Sequence, residues 1–344
     1  MNASKSEFSN GISNNYIIGA IPVPPIAGEQ IAPLNYFLHS YGPASTPTMH
    51  LGWVLVALLL VIFLLIALLL VRAVVRERLA ENSLSIGAEQ QGMLWIYIGT
   101  GVSTCILLAL AIYALITLNA VSKPTRAPAL TLTVTGYDWW WKIEYEEDDP
   151  ARRFVTANEI HIPVGQPVLV KLKSADVIHA FWVPMLAGKT QTIPGLINQQ
   201  WLQADVEGVY FGQCTQFCGV QHAHMGLEVV AQSADEFNKW QNAQLKTPAT
   251  TLAADVNAGQ KVFLEQCAAC HAVRGSEAVG AHGPDLTHLN SRRLLAAGLL
   301  TNTPEHLRQW ISHAQQLKPG ARMPSMVLTA AEIDALSAFL STLN

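Results

Sequence analysis

Residues 214–225 read Cys-Thr-Gln-Phe-Cys-Gly-Val-Gln-His-Ala-His-Met, which places Cys214, Cys218, His222 and Met225 in one short stretch. Thiolate, imidazole and thioether groups bind soft and borderline metals, whereas magnesium and calcium prefer oxygen ligands. Zinc is compatible with the residue types, but a structural zinc site is normally closed by Cys and His alone. A disulfide between the two cysteines is the other alternative. The stretch therefore favours a copper site.

The segment around this stretch, residues 127–243, has the pattern of an all-β domain. Apolar side chains alternate with polar ones, and Gly, Pro and Asn interrupt the runs, which are Leu130, Leu132 and Val134 and then Val168, Val170 and Leu172. A sandwich or barrel follows from this pattern. Because loops distant in sequence meet at one end of such a fold, we expect His179 to join the ligand cluster.

A second motif, Cys267-Ala-Ala-Cys270-His271, lies further along the chain. The C-x-x-C-H run is typical of covalent haem attachment, with the histidine placed to bind the iron. A redox dithiol or half of a zinc site would share the first four residues. We expect a haem attachment site. All four cysteines outside the apolar spans belong to the two motifs, so none is left for a structural disulfide.

The surroundings of this motif indicate a small all-α domain over residues 253–344, after a linker at 244–252. Thr329 and Glu332 have capping-box spacing, and the helix that they begin has one apolar face. The domain resembles class I cytochrome c, and this resemblance implies haem c with Met323 as the second axial ligand. Met326 is the alternative ligand, although it lacks the proline that follows Met323.

The N-terminal third has the composition of a membrane anchor, in a chain that is 50% hydrophobic and 13% charged. Residues 51–71 and 93–118 contain no charged side chain, and about 20 such residues suffice to cross a bilayer. We therefore predict a two-helix transmembrane hairpin over residues 49–120. Arginines in residues 72–78 place its loop in the cytoplasm. An irregular tail, residues 1–48, and all later domains then lie on the periplasmic or outer face of a bacterial inner membrane.

The all-β segment, together with the predicted hairpin, resembles cytochrome c oxidase subunit II over roughly residues 50–243. Three motifs support the resemblance: Gly212-Gln-Cys214-x-x-x-Cys218-Gly-x-x-His222-x-x-Met225, Asp176-Val-Ile-His179 and Gly136-Tyr-Asp-Trp139-Trp-Trp141. It implies a cupredoxin-like Greek-key fold with a binuclear CuA centre. The implied copper ligands are His179, Cys214, the carbonyl of Gln216, Cys218, His222 and Met225.

Several further residues carry expectations of their own. Trp139 matches the family's tryptophan at the electron entry surface, although alternation along a strand predicts that Trp139 or Trp141 packs in the core. Gln216 replaces a glutamate that helps the family to hold magnesium, so magnesium binding is left open. His224 is expected to be a surface histidine, and Cys105 a packed small residue in the second span.

As a whole, the chain resembles subunit II of haem-copper oxidases with a fused cytochrome c. The resemblance implies electron transfer from cytochrome c or another donor to haem c, then to CuA, then to haem in subunit I, where oxygen is reduced to water. Subunit III and membrane lipid are further expected partners. With a net charge of −4 and no basic, aromatic patch, no nucleic acid is expected.

Two other functions use similar residues. The CuA-bearing subunit of a nitric oxide reductase shares the fold and the ligands, and differs in its partner subunit. A membrane copper-delivery protein can also combine C-x-x-x-C with a distant histidine, but it would show a thioredoxin-like alternation of helices and strands and no haem domain. The fused haem motif favours the oxidase.

Overall fold

Two long apolar helices begin the part of the chain that the computed structural model describes, which is residues 38–76, 89–248 and 254–344. Helix α1 spans Thr46–Val75 and α2 spans Glu89–Ser122, and both are long and apolar enough to cross a membrane. They extend beyond the predicted spans, 51–71 and 93–118, at both ends. Residues 1–37 of the predicted tail and residues 77–88 of the predicted cytoplasmic loop lie outside the described residues.

Cys105 is exposed on α2, so the prediction of a packed residue is wrong. Large apolar side chains are exposed on all sides of both helices. No side chain of α1 is buried against the other described residues. Side chains of this kind need a nonaqueous surrounding, because exposed apolar patches of this size are rare on soluble monomers. Cys105 is therefore part of the apolar surface of the two long helices.

The last residues of the predicted irregular tail are in fact ordered against the strands that follow. The Tyr41 N–H donates to the Met185 carbonyl at 2.9 Å, and the Asp205 N–H donates to the Tyr41 carbonyl at 2.8 Å. The Ser45 hydroxyl donates to the same Met185 carbonyl at 2.8 Å, and Ser45 is buried. This correction arises because main-chain hydrogen bonds to distant strands leave no pattern in the local sequence.

Ten strands form the β-domain, which we define as residues 130–244. They are β1 (Leu130–Tyr137), β2 (Trp140–Glu146), β3 (Phe154–Ala157), β4 (Glu159–Pro163), β5 (Val168–Ser174), β6 (His179–Trp182), β7 (Thr190–Thr192), β8 (Asn198–Leu202), β9 (Gly208–Cys214) and β10 (Gly226–Gln232). Helix α3 (Ala234–Gln244) follows, capped by the Ser233 hydroxyl, which accepts from the Glu236 N–H.

The strands make two five-stranded sheets, with the orders β3-β2-β1-β5-β8 and β4-β10-β9-β6-β7. Strands β1 and β5 are parallel, as are β4 and β10, and the other pairs are antiparallel. Alternating apolar side chains fill the space between the sheets: Leu132, Val134, Val168, Val170 and Leu172 are all fully buried. The predicted cupredoxin-like β-sandwich is confirmed.

The C-terminal domain, residues 254–344, is built from three helices and a minimal hairpin. Its elements are α4 (Ala254–Gln266), β11 (Leu294–Leu295), β12 (Leu300–Thr301), α5 (Pro304–Leu317) and α6 (Ala330–Leu340). The predicted capping box is present, because the Thr329 hydroxyl accepts from the Glu332 N–H while the Glu332 carboxylate accepts from the Thr329 N–H. The helical fold class is confirmed, with the two-residue strands as the exception.

Helices α4 and α6 pack closely because Gly259 has no side chain. A Cβ atom at Gly259 would lie 1.9 Å from the Ala335 carbonyl oxygen, far inside van der Waals contact. One turn later, the Phe263 and Phe339 rings meet with their centroids 5.4 Å apart. This contact sets the position of the end of α4, where the C-x-x-C-H motif begins.

Gly259→Ala should therefore destabilise the C-terminal domain by roughly 1–3 kcal/mol or more, the cost of overpacking a core. Thermal unfolding followed through the haem absorption measures the effect. Asn257→Ala, two residues earlier on an exposed position of α4, is the control and should leave the transition unchanged. Equal stability of the two variants would contradict the close helix contact.

Candidate metal and haem sites

The predicted copper ligands lie together at one end of the β-sandwich. His179 begins β6, Cys214 ends β9, and the loop from β9 to β10 contains the others. Strands β6 and β9 pair antiparallel with Phe181 opposite Cys214, which brings the two strand ends side by side. The loop is tied down at both ends, because the Thr215 N–H donates to the Ala180 carbonyl and the Cys214 N–H donates to the Met225 carbonyl, each at 3.0 Å.

The distances within this cluster suit a sulfur-rich metal site. The Cys218 sulfur lies 3.7 Å from the Cys214 sulfur, 3.6 Å from His222 Nδ1 and 3.9 Å from the Met225 sulfur. The Gln216 carbonyl oxygen lies 3.2 Å from the Cys214 sulfur. Both cysteines are free and buried, and their sulfurs are too far apart for the disulfide alternative, which requires about 2.05 Å.

His179 presents a nitrogen to the sulfur cluster. Its Nε2 is hydrogen-bonded to Asp176 Oδ1 at 2.8 Å. Its Nδ1 is buried and has no hydrogen-bond partner among the described residues, and His179 can offer a ligand atom within 4.8 Å of those of Cys214 and Cys218. A buried imidazole nitrogen without a partner is costly unless a ligand occupies it. The donor set therefore fits a bound soft metal.

Protonation of the cluster is set by its own members. A hydrogen bond with Cys218 lowers the pKa of Cys214 to about 4, in spite of burial, and the same contact raises the pKa of Cys218. Burial opposes a charge on His179, but the Asp176 carboxylate and the nearby Cys214 thiolate raise the pKa of His179 to about 9. The cluster thus combines one thiolate with a cationic imidazole, and it would release protons from its ligands when it binds a metal ion.

The tryptophans of the 136–141 motif have different surroundings. Trp141 is fully buried in the sandwich, as expected for one member of the alternating pair. Trp139 lies in the turn between β1 and β2, half-buried, and its indole N–H donates to the Cys218 carbonyl at 2.8 Å. Trp139 therefore contacts the ligand loop directly.

In the C-terminal domain the C-x-x-C-H residues line a cavity. The cavity has a volume of about 320 Å³, and Cys267, Cys270, His271, Met323 and Met326 all border it. His271 Nδ1 donates to the Pro284 carbonyl at 2.8 Å, which leaves Nε2 as the nitrogen available to a metal. Burial lowers the pKa of His271, so the imidazole is neutral. Because both methionines reach the cavity, the choice between Met323 and Met326 stays open.

Two features that the sequence did not suggest support a haem in this cavity. Arg292 is buried in its wall, and its Nε has no hydrogen-bond partner among the described residues. A buried guanidinium is suited to the carboxylates that a haem bears. Gly283 leaves the space beside His271 open, since a Cβ there would lie 2.6 Å from the imidazole Cε1. The residues present fit the group.

The cavity is also bordered by the β-domain. Asp138, Trp139, Trp140 and Asn158 contribute to its lining, so Trp139 lies between the cavity and the Cys218 loop. His224, expected at the surface, is in fact half-buried at this junction, where its main-chain carbonyl accepts from Lys318 and its ring bonds to Gln221. The prediction for His224 is wrong because contacts between domains are not visible in the local pattern.

Gln216 takes part through its main chain, while its side chain faces solvent. The side-chain oxygen accepts from Gln191 Nε2 at 3.3 Å. Among the described His, Cys, Asp and Glu side chains, two groups of three are close enough to hold a metal ion: His179 with the two cysteines, and Asp138 with Asp176 and His179. Magnesium binding stays open, as the sequence left it.

Comparisons with known proteins find relatives of both domains. Residues 147–233 match the family model described as cytochrome c oxidase subunit II, periplasmic domain, and residues 256–344 match that of cytochrome c. Cytochrome c oxidase subunit 2 of Alkalihalophilus pseudofirmus is 39% identical over 218 residues, which are 62% of this chain and 61% of that protein. The subunit of Bacillus subtilis is 30% identical over 63% of each chain. The alignments therefore span less than two thirds of these relatives.

Among solved structures, the periplasmic domain of subunit II of cytochrome oxidase from Bradyrhizobium japonicum is 29% identical. It covers 35% of this chain and 96% of its own, with a TM-score of 0.33. The cytochrome SorU of Sinorhizobium meliloti, also 29% identical, covers 26% of this chain and 90% of its own, with a TM-score of 0.20. The family models imply copper in the β-domain and haem in the C-terminal domain.

The sequence motif that contains His179 also contains Asp176, whose carboxylate is hydrogen-bonded to His179 Nε2 at 2.8 Å. Asp176→Asn should weaken copper binding by about 10- to 100-fold, the usual effect of removing a carboxylate that orients a histidine ligand. Copper competition with a chelator measures the change. Asp148→Asn, at an exposed position between β2 and β3, is the control, and equal affinity of both variants would remove Asp176 from the site.

Proposed function

Because the chain contains a cytochrome c oxidase subunit II periplasmic domain and a cytochrome c domain, we propose that it is subunit II of a haem-copper terminal oxidase. It passes electrons from a donor through its own haem c and binuclear CuA centre to haem in subunit I, where oxygen is reduced to water. The observation that supports this proposal best is Trp139, which borders the haem cavity and bonds to Cys218 in the copper cluster.

The copper centre would be held by the six residues of the cluster. The Cys214 and Cys218 thiolates, the His179 and His222 imidazoles, the Met225 thioether and the Gln216 carbonyl would hold the copper, which would supply a one-electron carrier. Met225 and His179 are fully buried, which excludes water from the site. Because the loop is bonded to β6 and closed by the hydrogen bond from the Cys214 N–H to the Met225 carbonyl, its ligands need little rearrangement when the charge of the site changes.

The haem would be held by thioethers to Cys267 and Cys270, and His271 together with Met323 or Met326 would bind its iron. When bound, the two groups supply one-electron carriers, and they add no open position for a substrate. The chain's own residues set the surroundings: Pro284 orients His271, and Arg292 supplies a buried positive charge. A cavity wall shared with the β-domain keeps the distance between the two sites short.

The partners follow from this role. Subunit I would receive the electron, subunit III would complete the assembly, and a cytochrome c or other donor would reduce the haem. Helices α1 and α2 would anchor the chain in the inner membrane with both cofactor domains on the periplasmic or outer face. The copper-delivery alternative loses its basis, because the described residues form a β-sandwich instead of a thioredoxin-like alternation.

Metal and haem analysis of the intact chain tests the proposal. We expect two coppers that share one unpaired electron, and one low-spin haem c, per chain. A single uncoupled copper, or zinc, would contradict the CuA assignment. Turnover of the assembled complex with oxygen and with nitric oxide then distinguishes an oxidase from a reductase partner.

Cys218→Ser should abolish the paramagnetic resonance signal of the copper pair, because a hydroxyl cannot replace a bridging thiolate, while the haem absorption remains. Cys105→Ser, at an exposed position of α2, is the matched control and should keep both signals. Loss of the haem absorption in Cys218→Ser would contradict two separate sites.

Met323→Ala should lower the reduction potential of the haem and change its low-spin spectrum, because a thioether ligand raises the potential. The copper signal should persist. Met326→Ala decides between the two methionines of the cavity. A shift in Met326→Ala but not in Met323→Ala would assign the axial position to Met326.

A further inference from the structure

Lys318 is a buried lysine at the boundary between the two cofactor domains. It follows the last residue of α5, and only 3% of it is exposed. Its ammonium donates to three main-chain carbonyls: Trp139 at 2.8 Å, His224 at 2.7 Å and Ala296 at 2.8 Å. Trp139 and His224 belong to the β-domain, whereas Ala296 belongs to the C-terminal domain.

These carbonyls satisfy the whole hydrogen-bonding capacity of the ammonium group, which has three N–H donors. Burying a charged group is costly, and burial lowers the pKa of Lys318 to about 7. The three hydrogen bonds offset part of that cost by giving every donor a partner. In a separated C-terminal domain, two of the three acceptors would be missing. Lys318 therefore has its full set of partners only when the domains are docked in this orientation.

Neighbouring contacts support the same arrangement. Gln221 Nε2 donates to the Pro319 carbonyl at 2.8 Å, and the Gly226 N–H donates to the Ala297 carbonyl at 2.9 Å. On the other side, Arg293 Nε lies 3.7 Å from the buried carboxylate of Glu228. The boundary is thus a set of directed polar contacts, which fix an orientation better than an apolar patch would.

The residues held by Lys318 are those between the two sites. Trp139 is held through its carbonyl, and its indole N–H reaches the Cys218 carbonyl in the copper cluster. Gly320, with φ of 82°, turns the chain against the Val220 side chain, only three residues before Met323. Lys318 therefore connects the methionine loop of the haem cavity with the tryptophan and the ligand loop of the β-domain.

We propose that Lys318 is a positioning residue that locks the C-terminal domain onto Trp139, so that electrons pass from haem to copper within one chain. The inference rests on the proposed function. The transfer moves one electron from ferrous haem, which is oxidised, to the oxidised copper pair, which is reduced. Because the docked domain covers Trp139, an external donor delivers its electron to the haem and not to the copper cluster.

Lys318→Met tests the proposal, since it keeps the apolar stem and removes all three donors. In the full-length chain loaded with haem and copper, the haem is reduced by a photoactivated donor and copper reduction is followed optically. We expect haem-to-copper transfer to slow severalfold, because loss of the three hydrogen bonds lets the haem domain move away from Trp139 and electron transfer weakens steeply with distance. Reduction of the haem itself should keep its rate. Lys261→Met, at an exposed position of α4, is the matched control.

A second measurement does not depend on electron transfer. Hydrogen exchange at the Gly226 amide reports docking, because this N–H bonds to Ala297 across the boundary. Lys318→Met should accelerate exchange there and leave the amides of β1 and β5 unchanged. If the Lys318→Met chain does not bind haem and copper, both measurements are made on Lys318→Arg. The planar, longer guanidinium of arginine does not fit the three carbonyls, so the same changes are expected.

Unchanged exchange and unchanged transfer in a loaded Lys318→Met chain would overturn the positioning role and leave the proposed function intact. Failure of the proposed function looks different. In that case the wild-type chain lacks the copper pair or the haem, or shows no transfer between them, whereas the exchange measurement still reports on Lys318.

Discussion

The pairing of β6 with β9 is the constraint on which the rest of the molecule depends. It places His179 at the start of one strand beside Cys214 at the end of the other, although 34 residues of sequence separate them. The loop from Cys214 to Met225 then closes over this edge and is bonded at both ends. Because each ligand is attached to a strand end or to a bonded loop, the cluster has a defined geometry before any metal binds.

The ligand loop also determines how the C-terminal domain docks. Its main-chain carbonyls point outward: that of Cys218 accepts from Trp139, and that of His224 accepts from Lys318. The loop thus offers metal-ligating groups to the cluster, while its outward carbonyls accept hydrogen bonds from Trp139 and from Lys318 of the neighbouring domain. Both faces of one hydrogen-bonded segment are therefore in use. As a result, the same contacts that hold the loop also fix the distance between the two sites.

The haem cavity belongs to both domains for a related reason. A small helical domain with a large ligand has few residues left to close its pocket, and here part of the wall is supplied by Asp138, Trp139, Trp140 and Asn158. Around the attachment motif, Gly283 and Gly259 allow close approach where any side chain would collide. Arg292 and Lys318 are buried basic residues of this wall: Lys318 donates to three carbonyls, whereas Arg292 Nε has no hydrogen-bond partner among the described residues.

Sequence alone determined the spanning helices, the β-sandwich, the capped terminal helix and the two ligand motifs, because periodicity, capping and ligand spacing are local properties. It also indicated His179 as a distant ligand. Only the tertiary structure decided which groups surround those ligands: Asp176 behind His179, Arg292 in the cavity wall, and Lys318 and His224 at the domain boundary. Asp176 lies only three residues before His179, but the other contacts join residues far apart in the chain, and a buried lysine is indistinguishable in sequence from a solvated one. The order of the segment before α1 and the exposure of Cys105 were not visible in the sequence either, because the fold decides which residues pack against each other.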